Sequence, residues 1–297
     1  MSNHTASATC LCGDVRWEVD APVRAPSEGP LAALALSHCH CSRCRKAHGS
    51  SFATYLVVDE SRFRLTHGHA QIERYKPEGA GSRPFCRRCG SVVPDGVAAG
   101  GVVAMPAGPF DDDFGLRPMA HIFVGSKAPW VTITDGLPQF DEYPPELGAP
   151  GMATRAPSDP YEGHPRGSCL CGEVAYVVES PALRARYCHC SRCRKAYSSA
   201  YASGFVTSLD GVRFTRGEER LVTYKVPEAE SFEHRFCATC GSSMPRRVPA
   251  RGVTVVPMGS FDDDPGVRPS CHIFVASRAP WVTITDGLPQ YDAYPPA

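Results

Sequence analysis

The sequence shows no excess of charge of either sign. Its 31 lysines and arginines are matched by 31 aspartates and glutamates, for a formal net charge of zero. Proteins that live on nucleic acid usually carry a basic excess, because phosphate contacts supply most of the binding; the balance argues against nucleic acid as a partner. Long apolar runs are lacking as well. The longest near the amino end, Leu31 to Leu36, is far too short to span a bilayer, so no membrane partner is expected. Met1 to Thr9 is polar and lacks the basic-then-apolar order of a secretory signal, which leads to the expectation of a soluble, cytoplasmic protein. Helical periodicity is almost missing, which excludes an α-helical architecture.

What the sequence does have is cysteine, 15 in all. Disulfide frameworks belong to exported chains, and these cysteines cluster one and two residues apart, which is the spacing of metal ligands. They also recur. Cys10-x-Cys12-Gly13 returns as Cys169-x-Cys171-Gly172, Cys39-His40-Cys41-Ser42-Arg43-Cys44 as Cys188-His189-Cys190-Ser191-Arg192-Cys193, and Cys86-x-x-Cys89-Gly90 as Cys237-x-x-Cys240-Gly241. His121 to Pro145 comes back at His272 to Pro296 with 21 of 25 positions identical. The chain is a tandem duplication. Residues 1–146 and 167–297 are read as two domains, joined by a Gly-, Ala- and Pro-rich linker over 147–166. The first copy carries extra residues around Ala25 to Ser37, expected as a loop or short helix ahead of the central cysteines.

Within each copy the apolar period is two. Val15, Trp17 and Val19, and again Val174, Tyr176 and Val178, alternate with polar neighbours as half-buried strands do. Further strands are expected at Phe52 to Val58, Ile72 to Tyr75, Val102 to Met105, Ile122 to Val124 and Val131 to Thr134. Helix is expected only for a turn or two at Ser42 to Ala47 and Ser191 to Ala196. The fold class is therefore mainly β: small antiparallel sheets with very short helices, tied by metal.

Seven cysteines per copy divide as four and three. Cys86-x-x-Cys89 is a knuckle offering two thiolates, and Cys10-x-Cys12 can supply the other pair of a closed tetrahedral zinc site. In the second copy the matching set is Cys169, Cys171, Cys237 and Cys240. That leaves Cys39, Cys41 and Cys44, and Cys188, Cys190 and Cys193, as three-ligand sites with an open position, the arrangement of a catalytic zinc. Four zinc ions per chain follow. Two alternatives stay open: His40 and His189 could complete closed second sites, or the central cluster could help hold the structural ion.

In that order, C-x-C-G, C-H-C-S-x-C-R-K, F-C-x-x-C-G-S and H-I-F-V-x-S-[KR]-A-P-W followed by D-G-L-P, the sequence resembles the glutathione-dependent formaldehyde-activating enzymes and the related centromere protein V group. The resemblance implies a β-tent fold and the same four-plus-three division of zinc ligands. It also implies carbon–sulfur lyase chemistry, joining formaldehyde to glutathione, with a small thiol or aldehyde as substrate. The alternative is a non-catalytic zinc scaffold for a protein or nucleic-acid partner. Two copies in one chain depart from the usual single domain, and they are expected to dock as an internal pseudo-dimer.

Arg43, Arg45 and Lys46, with Arg192, Arg194 and Lys195, flank the triads and are candidates to receive substrate carboxylates. His121 and His272 open a strand-like run and are expected to be packed side chains more than bases. The Asp111–Asp113 and Asp262–Asp264 runs are expected in solvated turns, Trp130 and Trp281 in the core, and Cys271, facing Ala120 of the other copy, outside the metal scheme. The second copy, free of the insertion, is expected to be the more active.

Overall fold

The computed structural model describes residues 4–23, 34–77, 81–96, 100–147 and 163–296. Each repeat builds the same three pieces. In the first, His4–Thr9, Arg16–Ala21 and Phe63–His67 form an antiparallel sheet. Alternation explains it: Trp17, Val19 and Ala21 are buried while their neighbours face out. A second sheet runs in the order Gln139–Phe140, Ala120–Ile122, Leu36–Cys39, Ala53–Asp59, Val102–Pro106. The third piece is the hairpin of Ile72–Tyr75 and Arg83–Cys86. The second repeat matches, with Arg246–Val248 added at the edge of its larger sheet.

The expected mainly β architecture holds, with differences of detail. The central sheets are mixed: Leu36–Cys39 pairs in parallel with Ala120–Ile122, and Arg184–Cys188 with His272–Ile273. The strand expected at Ile122 to Val124 stops at Ile122, because Phe123 takes a left-handed backbone (φ 58°) and Val124–Ser126 is a 3₁₀ turn. Val131 to Thr134 is not a strand. Most of the linker and of the first-copy insertion lies outside the described residues, but Leu36 and Ser37 already belong to a strand.

Helix α1, Ser42–His48, and helix α2, Ser191–Tyr197, are seven residues each, too short to persist on their own. Each is capped by a cysteine: Cys41 Sγ accepts the backbone N–H of Cys44 at 3.3 Å, and Cys190 Sγ that of Cys193 at 3.4 Å. The cluster thus supplies the cap that serine or aspartate usually gives.

The segment that ends at Val131 has another task. Ala128, Trp130 and Val131 leave their own repeat and bury in the core of the second one, with Trp130 edge-on to Phe261 at 6.2 Å. Ala279, Trp281 and Val282 do the reverse, joining Trp17, Phe110 and Phe114. The exchange continues elsewhere. Phe85 and Phe236 meet across the repeats at 6.5 Å, and the positive-φ glycines of the opposite knuckles, Gly241 and Gly90, lie against them. A Cβ on Gly90 would sit 2.4 Å from the ring of Phe236, and one on Gly241 2.5 Å from that of Phe85, so both positions need glycine for space as well as for backbone. Ser199 Oγ donates to Phe52 O, Ser198 Oγ to Val92 O, and His48 Nδ1 lies 2.9 Å from Tyr197 O. Neither repeat completes its core without the other.

Candidate metal centres

Four groups of thiols converge among the described residues: Cys10, Cys12, Cys86 and Cys89; Cys169, Cys171, Cys237 and Cys240; Cys39, Cys41 and Cys44; and Cys188, Cys190 and Cys193. Within each group all sulfurs lie within 4.8 Å of one another. A tetrahedral zinc with Zn–S bonds of about 2.3 Å places its sulfurs about 3.8 Å apart. The spacings here fit: 3.4 Å for Cys10–Cys12, 3.7 Å for Cys12–Cys86, 3.7 Å for Cys171–Cys237 and 3.6 Å for Cys188–Cys190.

The four-cysteine groups join the start of each repeat to its later half. Cys10 and Cys12 follow the first strand, and Cys86 and Cys89 span the knuckle, where Gly90 takes φ 74°. Val15 N–H donates to Cys10 Sγ at 3.3 Å and Val174 N–H to Cys169 Sγ at 3.3 Å, as suits charged sulfur. Ser91 and Ser242, which the spacing of cysteines alone does not point to, brace the same sites: Ser91 Oγ lies 3.3 Å from Cys89 Sγ and accepts from Leu11 N–H, and Ser242 repeats the pattern at Cys240. Burial opposes charge on Cys89, but hydrogen bonds from Cys10, Cys12 and Cys86 outweigh it and hold the thiol well below its ordinary range.

The triads have the same demand for a cation. Hydrogen bonds from Cys39 and Cys44 draw Cys41 well below the ordinary thiol value, and the corresponding bonds from Cys188 and Cys193 bring Cys190 down to about 3. Their neighbours move the other way: contact with Cys41 pushes Cys39 up, and contact with Cys188 and Cys190 pushes Cys193 up. Three sulfurs this close ionise together only around a positive ion. His40 and His189 are turned from them. His40 Nε2 lies 2.8 Å from His121 Nδ1, and His121 Nε2 is 3.1 Å from Asp135; His189, His272 and Asp286 repeat the chain. His121 and His272 are buried beside a cavity of about 330 Å³ between the repeats, where Thr134 and Thr285 hydrogen-bond at 2.6 Å.

Each triad opens on a cavity of about 460 Å³. In the first copy Cys39 and Cys44 line it beside Tyr55, Tyr143 and Arg83. Burial works against the charge of Arg83, yet the nearby Cys44, Tyr55 and Cys41 raise its pKa above the usual arginine value. In the second copy all three cysteines line it, and they are half-buried where the first three are buried.

The basic residues expected at these sites mostly go elsewhere. Arg45 is fully buried, donates to His40 O and Ser126 O, and faces the Trp130 ring at 5.8 Å. Lys46 reaches the other repeat, to Asp262 at 2.7 Å and Ser168 O at 2.8 Å. Arg194 donates to Gly108 O and Phe110 O, and both it and Lys195 pair with Asp111, at 2.9 and 2.6 Å. Lys46, Arg194 and Lys195 join the repeats, because each helix lies on the opposite copy's aspartate turn, while the partners of Arg45 belong to its own repeat. The aspartate runs are accordingly not just solvated: Asp263 is fully buried and binds Arg166, while Asp113 and Asp264 make surface pairs with Arg117 and Arg268. Arg43 is half-buried on α1, and Arg192 lines the second triad cavity. The other lining arginines, Arg83, Arg184, Arg186, Arg246 and Arg251, carry no motif; comparing the two copies position by position would have shown them. Trp130 and Trp281 are in a core as expected, though in the opposite repeat's, and Cys271 stands outside the clusters.

A family model described as glutathione-dependent formaldehyde-activating enzyme matches residues 5–126 and 164–277. A Halomonas elongata protein that carries that same name provisionally is 31% identical over 128 residues, covering 40% of this chain and 79% of its own. A crystal structure of a Rhodobacter sphaeroides protein is 26% identical and covers 42% of this chain and 98% of its own, with a TM-score of 0.29. Among the described residues, no helix is long and apolar enough to cross a membrane.

Proposed function

From a chain that belongs to the glutathione-dependent formaldehyde-activating enzyme family over both of its repeats, we propose an enzyme that joins or separates a small thiol and an aldehyde at its two three-cysteine sites. In the forward direction the thiol sulfur bonds to the carbonyl carbon, the C=O π bond becomes a hydroxyl, and the proton leaving sulfur ends on that oxygen. Zinc in the three-thiolate sites would supply a Lewis acid with one position open to a substrate sulfur or oxygen, and the sulfur-rich donor set favours sulfur. The single observation that carries this reading is the convergence of three thiols beside a roomy cavity in both copies, two of them on its wall in the first and all three in the second.

The chain's own residues do the rest. Cys10, Cys12, Cys86 and Cys89, with Cys169, Cys171, Cys237 and Cys240, would hold the closed zinc ions that tie each repeat's ends together. At the first triad the hydroxyl of Tyr55 is held 3.0 Å from His48 Nε2 and stands where a transferred proton could be relayed. At the second, Arg192 and its basic neighbours would orient a charged substrate. Residues 1–146 and 167–297 then act as the two halves of an internal dimer, a reading supported by their reciprocal exchange of Trp130 and Trp281.

The test is mutational. Cys41→Ser and Cys190→Ser should each remove part of the thiol–aldehyde activity and the double variant nearly all of it, with the Cys190 change weighing more because its site is the more exposed. Full turnover in the double variant would end this reading.

A further inference from the structure

The two triad cavities are equal in volume and opposite in character. Aligning Cys39 with Cys188 and Cys89 with Cys240 brings the surrounding positions into gapless register. Five arginines line the second cavity: Arg184, Arg186, Arg192, Arg246 and Arg251. Four of them replace uncharged or acidic residues of the first copy. Arg184 stands for Ala35, Arg186 for Ser37, Arg246 for Asp95 and Arg251 for Gly100. None of the five has a carboxylate partner among the described residues, although arginines elsewhere on the molecule, Arg64, Arg88, Arg213 and Arg268 among them, are paired. Glu230 is the acid on the wall. Aromatic rings hold three of the guanidinium groups: Arg186 and Arg251 lie over Tyr294 at 5.3 and 4.5 Å, and Arg246 over Phe232 at 5.5 Å.

The first cavity offers one arginine, Arg83, and one acid, Asp95, on a wall of valines, Leu34, Ile122 and the two tyrosines. Unpaired like charges around one concavity repel each other and weaken the fold unless a counter-ion of opposite sign is to be received there. Arginine is the residue suited to carboxylate and phosphate, binding both of their oxygens at once.

We propose that the two three-cysteine sites have parted in specificity: the second takes a small ligand bearing two or more anionic groups, carboxylates or a phosphate, and the first takes a neutral one. The inference rests on the thiol–aldehyde reading of the triads for the reaction, but the arginine wall stands without it. Two functions would then share one chain, with an anionic thiol or adduct handled at the second site and an uncharged thiol or carbonyl compound at the first.

The experiment is calorimetric titration of the full-length, metal-bearing protein with mercaptosuccinate, succinate and 2-mercaptoethanol. Mercaptosuccinate should bind about tenfold or more tightly than 2-mercaptoethanol at the second site and weaken as salt is raised. Arg246→Asp with Arg251→Gly, which restores the first copy's residues, should lower that affinity by about tenfold for each arginine lost. Arg192→Gln, an exposed change that leaves the fold alone, should lower it as well. Succinate, lacking a thiol, should bind weakly with the same dependence on these arginines, and Cys41→Ser should leave the anion's affinity unchanged while abolishing that of 2-mercaptoethanol at the first site. Mercaptosuccinate affinity unchanged within about twofold in all the arginine variants would overturn the proposal and leave the thiol–aldehyde reading standing. Arginine-dependent succinate binding with no thiol bound at either site would do the opposite.

Discussion

The closed and the open sites of this chain have fared differently since it was duplicated. The two four-cysteine sites share their geometry: the same 3.4 Å sulfur spacing, the same backbone N–H on the first sulfur, the same serine behind the last one. The two three-cysteine sites keep their ligands and capped helices, yet one is buried beside tyrosines and the other is half-exposed among arginines. On the function proposed above, the four-cysteine sites answer to folding, which is the same problem in both copies, and the three-cysteine sites answer to whatever enters, which need not be the same molecule twice.

The largest effect that could break this comparison is at a closed site. Cys86→Ala should leave the first repeat unable to hold its ion, a loss comparable to a domain's whole stability of about 5–15 kcal/mol. Circular dichroism should report a largely unfolded or aggregated chain, in contrast to a folded Cys41→Ser. Equal folding of the two variants would mean that the closed and open sites do not differ in role.

Next in size is the exchange of tryptophans. Trp281→Ala should destabilise by about 3–5 kcal/mol, and the damage should appear in the first repeat, whose core Trp281 fills. Hydrogen exchange resolved by segment would show it: added exposure around Trp17 and Phe114 supports the exchange, and exposure confined to residues 167–297 contradicts it.

A smaller effect concerns acid. Burial pulls His48 down to about 4 while its ring bridges Tyr55 and the end of α2. Because the folded value lies below the unfolded one near 6.5, its contribution is fully present above that pH and is lost as pH falls towards 4. Between pH 7 and 5 the loss should be about 2 kcal/mol. Denaturant midpoints for wild type and His48→Gln should therefore converge on acidification; parallel midpoints would show that His48 is not the titrating bridge. Smallest is the bridge from Lys46 to Asp262, partly buried and 2.7 Å long; Lys46→Ala should cost about 1 kcal/mol in a thermal melt.

The fold class was legible in the sequence because alternation at Trp17 and Val19, or at Tyr176 and Val178, has no other use than a half-buried strand. The thiol groups were legible because ligands of one ion that lie close in sequence keep a narrow spacing. Two things were not. The run Val131 to Thr134 alternates β-branched residues as a half-exposed strand would, yet only Val131 is buried, in the neighbour's core, and the rest lines the cavity between the repeats. The cluster Arg45-Lys46 lies next to ligands in sequence, but helical geometry sends Lys46 to the opposite repeat and buries Arg45 against Ser126 O and the Trp130 ring, and adjacency says nothing of direction. The arginine wall comes from residues far apart in sequence, so it forms only once the sheet brings Arg184 and Arg251 together.

Metal stoichiometry tests the four-plus-three division most directly. Elemental analysis of protein purified without added metal should find four zinc ions per chain, one for each thiol group. A strong chelator should take two first, from the triads, while the protein stays folded, and Cys41→Ser with Cys190→Ser should begin with two. Two or fewer in fully folded wild-type protein would contradict the account.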